Sequence, residues 1–290
     1  MPSSRISRRA ALGALALIGA GGVTVTETFR GLSGRTPSPH VRPGTKQLVE
    51  SYGAGQGEWW VPAGGPALLP TVVLLHGGWW APGYDRHLED AVAADLAGRG
   101  VLVWNVDYAA ADTPWPRTFT SVAAAYDHLT RGRYAAQVDP RRVAVVGHSA
   151  GGQLALWLAS RSRPLAGAPA YALRPSLVVA QAPVAALGQA DAQGLGGGAV
   201  TDLLDGSRRQ VPRHYRESDP VALLPTGIRT VCLHSRSDAL VPFRQSEAYV
   251  AAAKAGGDRA ELVAVPGDHF AHLDPRSAAC AHLRTALAIG

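Results

Sequence analysis

Among its 290 residues the chain has only two cysteines, one methionine and very little lysine within its 28 cations. Two cysteines cannot build the disulfide framework of a small secreted scaffold. Cys232 lies in the apolar run Thr230–Leu233 and Cys280 in a helical C-terminal stretch, so two buried free thiols are expected rather than a bridge. No Cys/His cluster has structural-zinc spacing, there is no His-Glu-x-x-His, and His269-x-x-His272 alone offers too few ligands. Neither a metal nor a cofactor is therefore expected. Internal repeats are lacking, and no apolar run reaches the ~20 residues of a spanning helix. Charge of one sign is scarce outside the first 46 positions, which hold seven cations and one anion, Glu27. Residues 47–290 carry 21 cations and 21 anions, with no basic patch interleaved with aromatics, which argues against a nucleic-acid partner. What the chain does have is 47% apolar residues, enough for the buried core of one large α/β domain.

The N-terminus reads separately. Ser7-Arg8-Arg9-Ala10-Ala11-Leu12 precedes an Ala/Gly-rich apolar run to about Val25. Paired arginines before a short apolar segment predict an export signal over 1–25, by the twin-arginine route, with an acceptable processing site at Ile18-Gly19-Ala20. A Gly/Pro/Ser/Arg-rich linker over 26–46 would follow, then the main domain over 47–290. The expected destination is outside the cytoplasm, secreted or in the cell envelope, with no stable membrane span once the signal is removed. The alternative is a disordered basic tail on a cytoplasmic protein.

From Gln47 onward short β-like runs alternate with longer helical patterns. Leu48–Tyr52 and Glu58–Val61 predict an opening pair of strands. Thr71–Leu75, Val101–Val106, Val143–Val146, Leu177–Ala180, Thr230–Leu233 and Glu261–Val265 are the remaining strands, mostly continuous apolar runs suited to burial on both faces. Helices are expected over 85–98, 117–131, 150–161, 243–255 and 275–288. This alternation implies a mostly parallel central sheet with helices on both faces. Residues 183–226, with Gly194, the run Gly196-Gly197-Gly198 and several prolines, interrupt the rhythm and are expected to form a small lid insertion.

Gly147-His148-Ser149-Ala150-Gly151 matches Gly-x-Ser-x-Gly. The five-residue pattern alone is weak, but here it directly follows a buried strand and precedes a helix, the strand–turn–helix that would present Ser149 Oγ at the end of the sheet. A serine hydroxyl needs a base held by an acid, expected in the order Ser, Asp/Glu, His. Asp238 follows the strand 230–234 and His269 follows 261–265, both at carboxyl ends of strands where parallel sheets place their sites. Asp268 is a rival acid, and His234 and His272 are rival bases, the latter expected inside the final helix. His76-Gly77-Gly78-Trp79-Trp80 follows the strand 71–75, where backbone N–H groups could meet an oxyanion together with the N–H of Ala150. Of Trp79 and Trp80, one is expected to wall a substrate pocket and the other to pack.

On these residues, 47–290 resemble the α/β-hydrolase superfamily, specifically its bacterial esterase and kynurenine-formamidase-like members. The His76–Trp80 run is similar to their His-Gly-Gly-x-Trp box; Gly147–Gly152, Asp238-x-x-Val241-Pro242 and His269-Phe270 carry the rest. The resemblance implies the α/β-hydrolase fold, Ser149 as nucleophile, Asp238 and His269 as relay, and Gly78, Trp79 and Ala150 as oxyanion donors. Where related esterases often carry Tyr-Arg, this chain has Tyr108-Ala109. The expected function is cleavage of a small-molecule carboxylic ester through an acyl-enzyme. The alternatives are an arylformamidase cleaving an N-formyl aromatic amide and a non-catalytic binding protein on the same fold.

Overall fold

The computed structural model describes residues 45–290, so the expected export signal and nearly all of the expected linker lie outside the described residues. Among the described residues eight strands form one sheet: β1 Lys46–Ser51, β2 Gln56–Val61, β3 Leu69–Leu75, β4 Leu102–Val106, β5 Val138–His148, β6 Leu177–Gln181, β7 Arg229–His234 and β8 Ala260–Ala264. Their order is β1-β2-β4-β3-β5-β6-β7-β8. β1 and β2 pair antiparallel and β2 joins β4 antiparallel; every later pairing is parallel. The mostly parallel sheet expected from the sequence is thus present, with the first two strands as an antiparallel margin.

The continuous apolar runs work because alternate residues face opposite sides of a strand. On β3, Val73 and Leu75 enter one core while Val72 and Leu74 enter the other. β5 divides likewise, with Val145 on the first face and Val146 on the second. Helices α1 Asp90–Ala97 and α8 Ala278–Leu287 cover the second face, placing Val92, Leu96, Cys280 and Leu283 there. α2 Arg117–Asp127 and α3 Ala150–Ala159 cover the first, with Phe119, Val122 and Leu154. This is the α/β-hydrolase fold.

Boundaries differ from the sequence reading where capping chemistry intervenes. The helix expected over 85–98 divides into a 3-10 turn, Arg86–Glu89, and α1. The last helix starts only at Ala278, because Ser277 Oγ accepts the N–H of Cys280 and caps it there. His272 therefore lies outside that helix, in the separate 3-10 turn Ala271–Leu273. Within 183–226 lie α4 Leu187–Ala192, α5 Ala199–Leu204 and α6 Pro212–Ser218; the final long helix before α8 is α7 Arg244–Ala255.

From β3 the chain moves outward to β4, then crosses back past β3 to β5 and continues the other way through β6, β7 and β8. The direction reverses between β3 and β5. Loops leaving the carboxyl ends of two such strands part company, and the crevice between them is where open parallel sheets bind ligands. The His76–Trp80 segment and Ser149 leave those two ends.

Candidate active site

β5 ends at His148 and α3 begins at Ala150, leaving Ser149 alone to turn the chain with φ 56° and ψ −117°. A non-glycine residue rarely adopts that backbone, so the turn is held by its surroundings. A Cβ on Gly147 would collide with the carbonyl of Gly151, and one on Gly151 with the carbonyl of Leu75, so the two glycines let helix, turn and β3 approach this closely. The Ser149 N–H donates to the Gln181 carbonyl at 2.8 Å. Its Oγ is buried and has no hydrogen-bond partner among the described residues.

Asp238, on the loop after β7, is buried at its carboxylate. Oδ1 accepts the backbone N–H groups of Leu240 at 2.9 Å and Val241 at 2.8 Å. Oδ2 accepts from Nδ1 of His269 at 2.6 Å. Burial alone would raise the Asp238 pKa, but donors from His234, His269 and Val241 outweigh it and hold the group far below the usual carboxylate range. A carboxylate that stays ionised keeps the proton of neutral His269 on Nδ1 and leaves Nε2 as the basic nitrogen.

His269 follows β8 and is itself anchored: Nε2 of His148 donates to the His269 carbonyl at 2.9 Å. His148 is the residue between Gly147 and Ser149, so one turn presents the serine and fastens the histidine loop. Its burial, then the neighbouring His269 and His272, push the His148 pKa well down, keeping it neutral. The rivals fall elsewhere. Asp268 is exposed and its Oδ1 accepts the N–H of Phe270. His272 is buried with Nδ1 3.4 Å from Gln181 Nε2, its pKa lowered to about 3 by burial and by the neighbouring His269 and His234. His234 Nε2 lies 3.3 Å from Asp238 Oδ2, the same oxygen that His269 meets.

The loop after β3 is rigid from below. His76 is buried, its Nδ1 donates to the Gly77 carbonyl at 2.7 Å, and its ring stacks on Tyr108 at 4.2 Å. The Tyr108 hydroxyl donates to the His76 carbonyl at 2.8 Å. Gly78, Trp79 and Trp80 then follow at φ 111°, 55° and 57°, a run of positive φ that turns the backbone over the elbow. A Cβ on Gly77 would lie 3.1 Å from Ser149 Cβ, which places this loop directly against the serine. The N–H groups of Gly78 and Trp79 donate to no backbone acceptor among the described residues. Ala150 opens α3 beside them, where the helix dipole favours negative charge.

The two tryptophans separate. Trp80 is buried in the core, whereas Trp79 stays partly exposed with its indole against Gly196, in the glycine run of the 183–226 segment. That segment is tied down by Gly188 N–H to Asp219 Oδ2 at 2.9 Å, Gln153 Nε2 to the Ser218 carbonyl at 3.0 Å, and Trp115 Nε1 to Ser218 Oγ at 3.0 Å. Cys232 and Cys280 are both free and buried, as their apolar settings suggested. No set of three or more metal-ligating side chains comes together among the described residues, and no described helix is long and apolar enough to cross a membrane.

Three residues that support this geometry were given other places by the sequence: His234 as a rival base, Tyr108 only as a departure from the Tyr-Arg of related esterases, and His148 only as the variable position of its own motif.

The model of the BD-FAE family matches residues 59–252, two thirds of the chain. Carboxylesterase NlhH of Mycobacterium tuberculosis (strain ATCC 25618 / H37Rv) is 40% identical over 105 residues, covering 35% of this chain and 32% of that protein. Esterase LipI of the same strain is 33% identical over 105 residues, 36% of this chain and 32% of that protein. The chain thus matches about a third of the length of these curated relatives. Among solved structures, esterase B from Lactobacillus rhamnosis superposes with a TM-score of 0.77 at 20% identity over 91% of each chain. Thermogutta terrifontis esterase 2 superposes with a TM-score of 0.65 at 20% identity, over 87% of this chain and 92% of that one.

Proposed function

The chain belongs to the BD-FAE family, and from that premise we propose that it is a serine hydrolase cleaving small or medium carboxylic esters through an acyl-enzyme. The observation that carries this reading is the 2.6 Å Asp238–His269 contact at the same sheet edge as a serine at positive φ. The curated relatives, a carboxylesterase and an esterase, favour the ester over the N-formyl amide as substrate.

Ser149 Oγ attacks the acyl carbonyl carbon while His269 Nε2 takes the serine proton. Asp238, kept ionised by its donors, stabilises the imidazolium that forms. The carbonyl oxygen becomes an oxyanion, which the N–H groups of Ala150, Gly78 and Trp79 receive. Collapse expels the alcohol, which leaves with the proton from His269. A water molecule then repeats the sequence on the acyl-enzyme, releasing the carboxylate and restoring Ser149. Trp79, rather than Trp80, walls the acyl side, with 183–226 acting as lid. The segment 1–25 directs export, and replacing Arg8 and Arg9 by Lys in a reporter fusion tests it; a wild-type segment that leaves the reporter in the cytoplasm refutes it.

A fluorophosphonate is expected to label Ser149 and abolish activity, and Ser149→Ala is expected to lower kcat by at least about 10³-fold while the protein stays folded. Near-wild-type turnover in Ser149→Ala would overturn the mechanism. Short aryl esters assayed beside N-formylkynurenine decide between ester and formamide.

A further inference from the structure

We infer that His234 is a positioning residue for Asp238, a second N–H donor sharing with His269 the same carboxylate oxygen and so setting how strongly the acid holds the base. The inference rests on the triad proposed above.

His234 closes β7, four residues before Asp238, and its side chain is wholly buried. Nε2 lies 2.9 Å from the Val241 carbonyl. A carbonyl can only accept, so Nε2 carries the proton. Nδ1 is then the lone-pair nitrogen and accepts from the Ser246 hydroxyl at 2.8 Å, which locks ring and tautomer together. The same Nε2 lies 3.3 Å from Asp238 Oδ2, the oxygen that His269 Nδ1 approaches at 2.6 Å, so its proton faces both that oxygen and the Val241 carbonyl. Oδ1 is already taken by two backbone N–H groups. The carboxylate is therefore held by two backbone N–H groups on Oδ1 and by His269 on Oδ2, with His234 Nε2, whose proton goes first to Val241, as a longer contact on Oδ2.

A second donor on Oδ2 also draws off part of the negative charge that attracts the imidazolium. Without it the Asp238–His269⁺ pair tightens, and His269 holds its proton to higher pH. The other groups facing this pair do not supply that influence. His148, from the end of β5, has its ring centroid 4.7 Å from that of His269 and donates to the backbone carbonyl, not to the carboxylate. His272, from the turn before α8, faces Gln181; burial keeps both it and His148 from protonating. Asp268 is turned to the Phe270 N–H, and Ser246 on α7 meets His234 and Cys232 rather than the carboxylate.

The test follows kcat/KM for a short aryl ester, and the rate of Ser149 labelling by a fluorophosphonate, against pH. His234→Phe keeps the ring volume and removes the donor. It is expected to lower kcat/KM by about 10–100-fold, the size of effect of a hydrogen bond to a charged group, and to move the acidic limb to higher pH. His234→Gln, whose amide N–H can reach the place of Nε2, is expected to restore the limb and most of the rate. A lower rate with an unmoved limb in His234→Phe would make the residue merely structural and overturn the inference. If that variant fails to fold, ¹⁵N NMR of the wild-type histidines decides. Protonation of His234 on Nε2 at neutral pH is expected, whereas protonation on Nδ1 removes the shared donor and overturns the inference. A wild-type protein that is not labelled at Ser149 at all refutes the triad reading instead.

Discussion

A carboxylate next to a histidine in sequence is badly placed to serve it, because a side chain of one or two carbons cannot curl back onto the ring of its neighbour. Asp268 meets that limit: it caps the local turn through the Phe270 N–H and stays exposed. Asp238, 31 residues away along the chain, reaches His269 Nδ1 at 2.6 Å from the next strand of the sheet. Asp238→Asn is therefore expected to keep the fold and cost on the order of 10⁴-fold in kcat/KM, since the amide favours the wrong His269 tautomer. Asp268→Asn is expected to leave kcat/KM nearly unchanged; the reverse ranking in two folded variants would refute the assignment. In the wild type the same measurement across pH is expected to show an acidic limb with the slope of one proton, because His269 must be neutral to accept from Ser149. His148 and His272 do not add a second step there, as burial holds both from protonating in that range. The Asp238–His269 pair proposed as acid and base was legible from chain order and strand ends. His234, the second hand on the carboxylate, was visible only as a rival base, because nothing local shows which way a histidine at a strand end will point.

At the scale of elements, two features carry the site: the elbow between β5 and α3, and the contact of the 183–226 segment with the loop after β3. The elbow could be read from glycine spacing, since strand and helix meeting at one residue leave no room for side chains at Gly147 and Gly151. The second contact could not. Gly196 lies at φ 68°, and a Cβ there would press into the six-membered ring of Trp79. Gly196→Ala is expected to displace Trp79 and, if that indole walls the acyl side, to change relative kcat/KM across acetyl, butyryl and octanoyl aryl esters. An unchanged chain-length profile with a folded protein would remove Trp79 from the pocket. The boundaries misread from periodicity, at 85–98 and 275–288, are places where an Asp or Ser side chain redirects the first turn: Asp85 accepts the N–H of His87, and Ser277 that of Cys280. Periodicity records which face is buried and is silent about where a cap stops the helix.

For the molecule as a whole, two buried groups set opposing pH dependences of stability. His272 is held neutral, with its pKa lowered to about 3 by burial first and then by neighbouring His269 and His234. Between that value and the ordinary imidazole range the unfolded chain binds more protons, so this group's contribution falls as pH drops. Glu89 is the reverse: fully buried, with neither carboxylate oxygen partnered among the described residues, its pKa is pushed up to about 8 by burial and by Asp90. From the ordinary carboxylate range up to that value the folded protein binds the extra proton, so stability declines as pH rises through it. Glu89→Gln, nearly the shape of the protonated acid, is expected to raise the melting temperature more at pH 8 than at pH 5, by the equivalent of a few kcal/mol at most. An equal effect at both pH values would mean Glu89 is ionised in the fold.

Much of this architecture is written along the chain. Alternating apolar runs and helical periods determine a parallel sheet covered on both faces, because burial on two sides makes the inner stretches of β3 and β5, Val72–Leu75 and Val143–Val146, continuously apolar. The Gly-x-Ser-x-Gly turn, the order Ser149, Asp238, His269 and the glycines after β3 are likewise sequence properties, each a local steric or chemical requirement. Only the tertiary structure decided which tryptophan enters the core, where His272 sits, and that His148, His234 and Tyr108 hold the loops of the site in place. Two of those contacts join residues from different strand ends, as when His148, closing β5, meets the carbonyl of His269, past β8. Their partners are set by sheet order and side-chain direction, which no window of sequence contains.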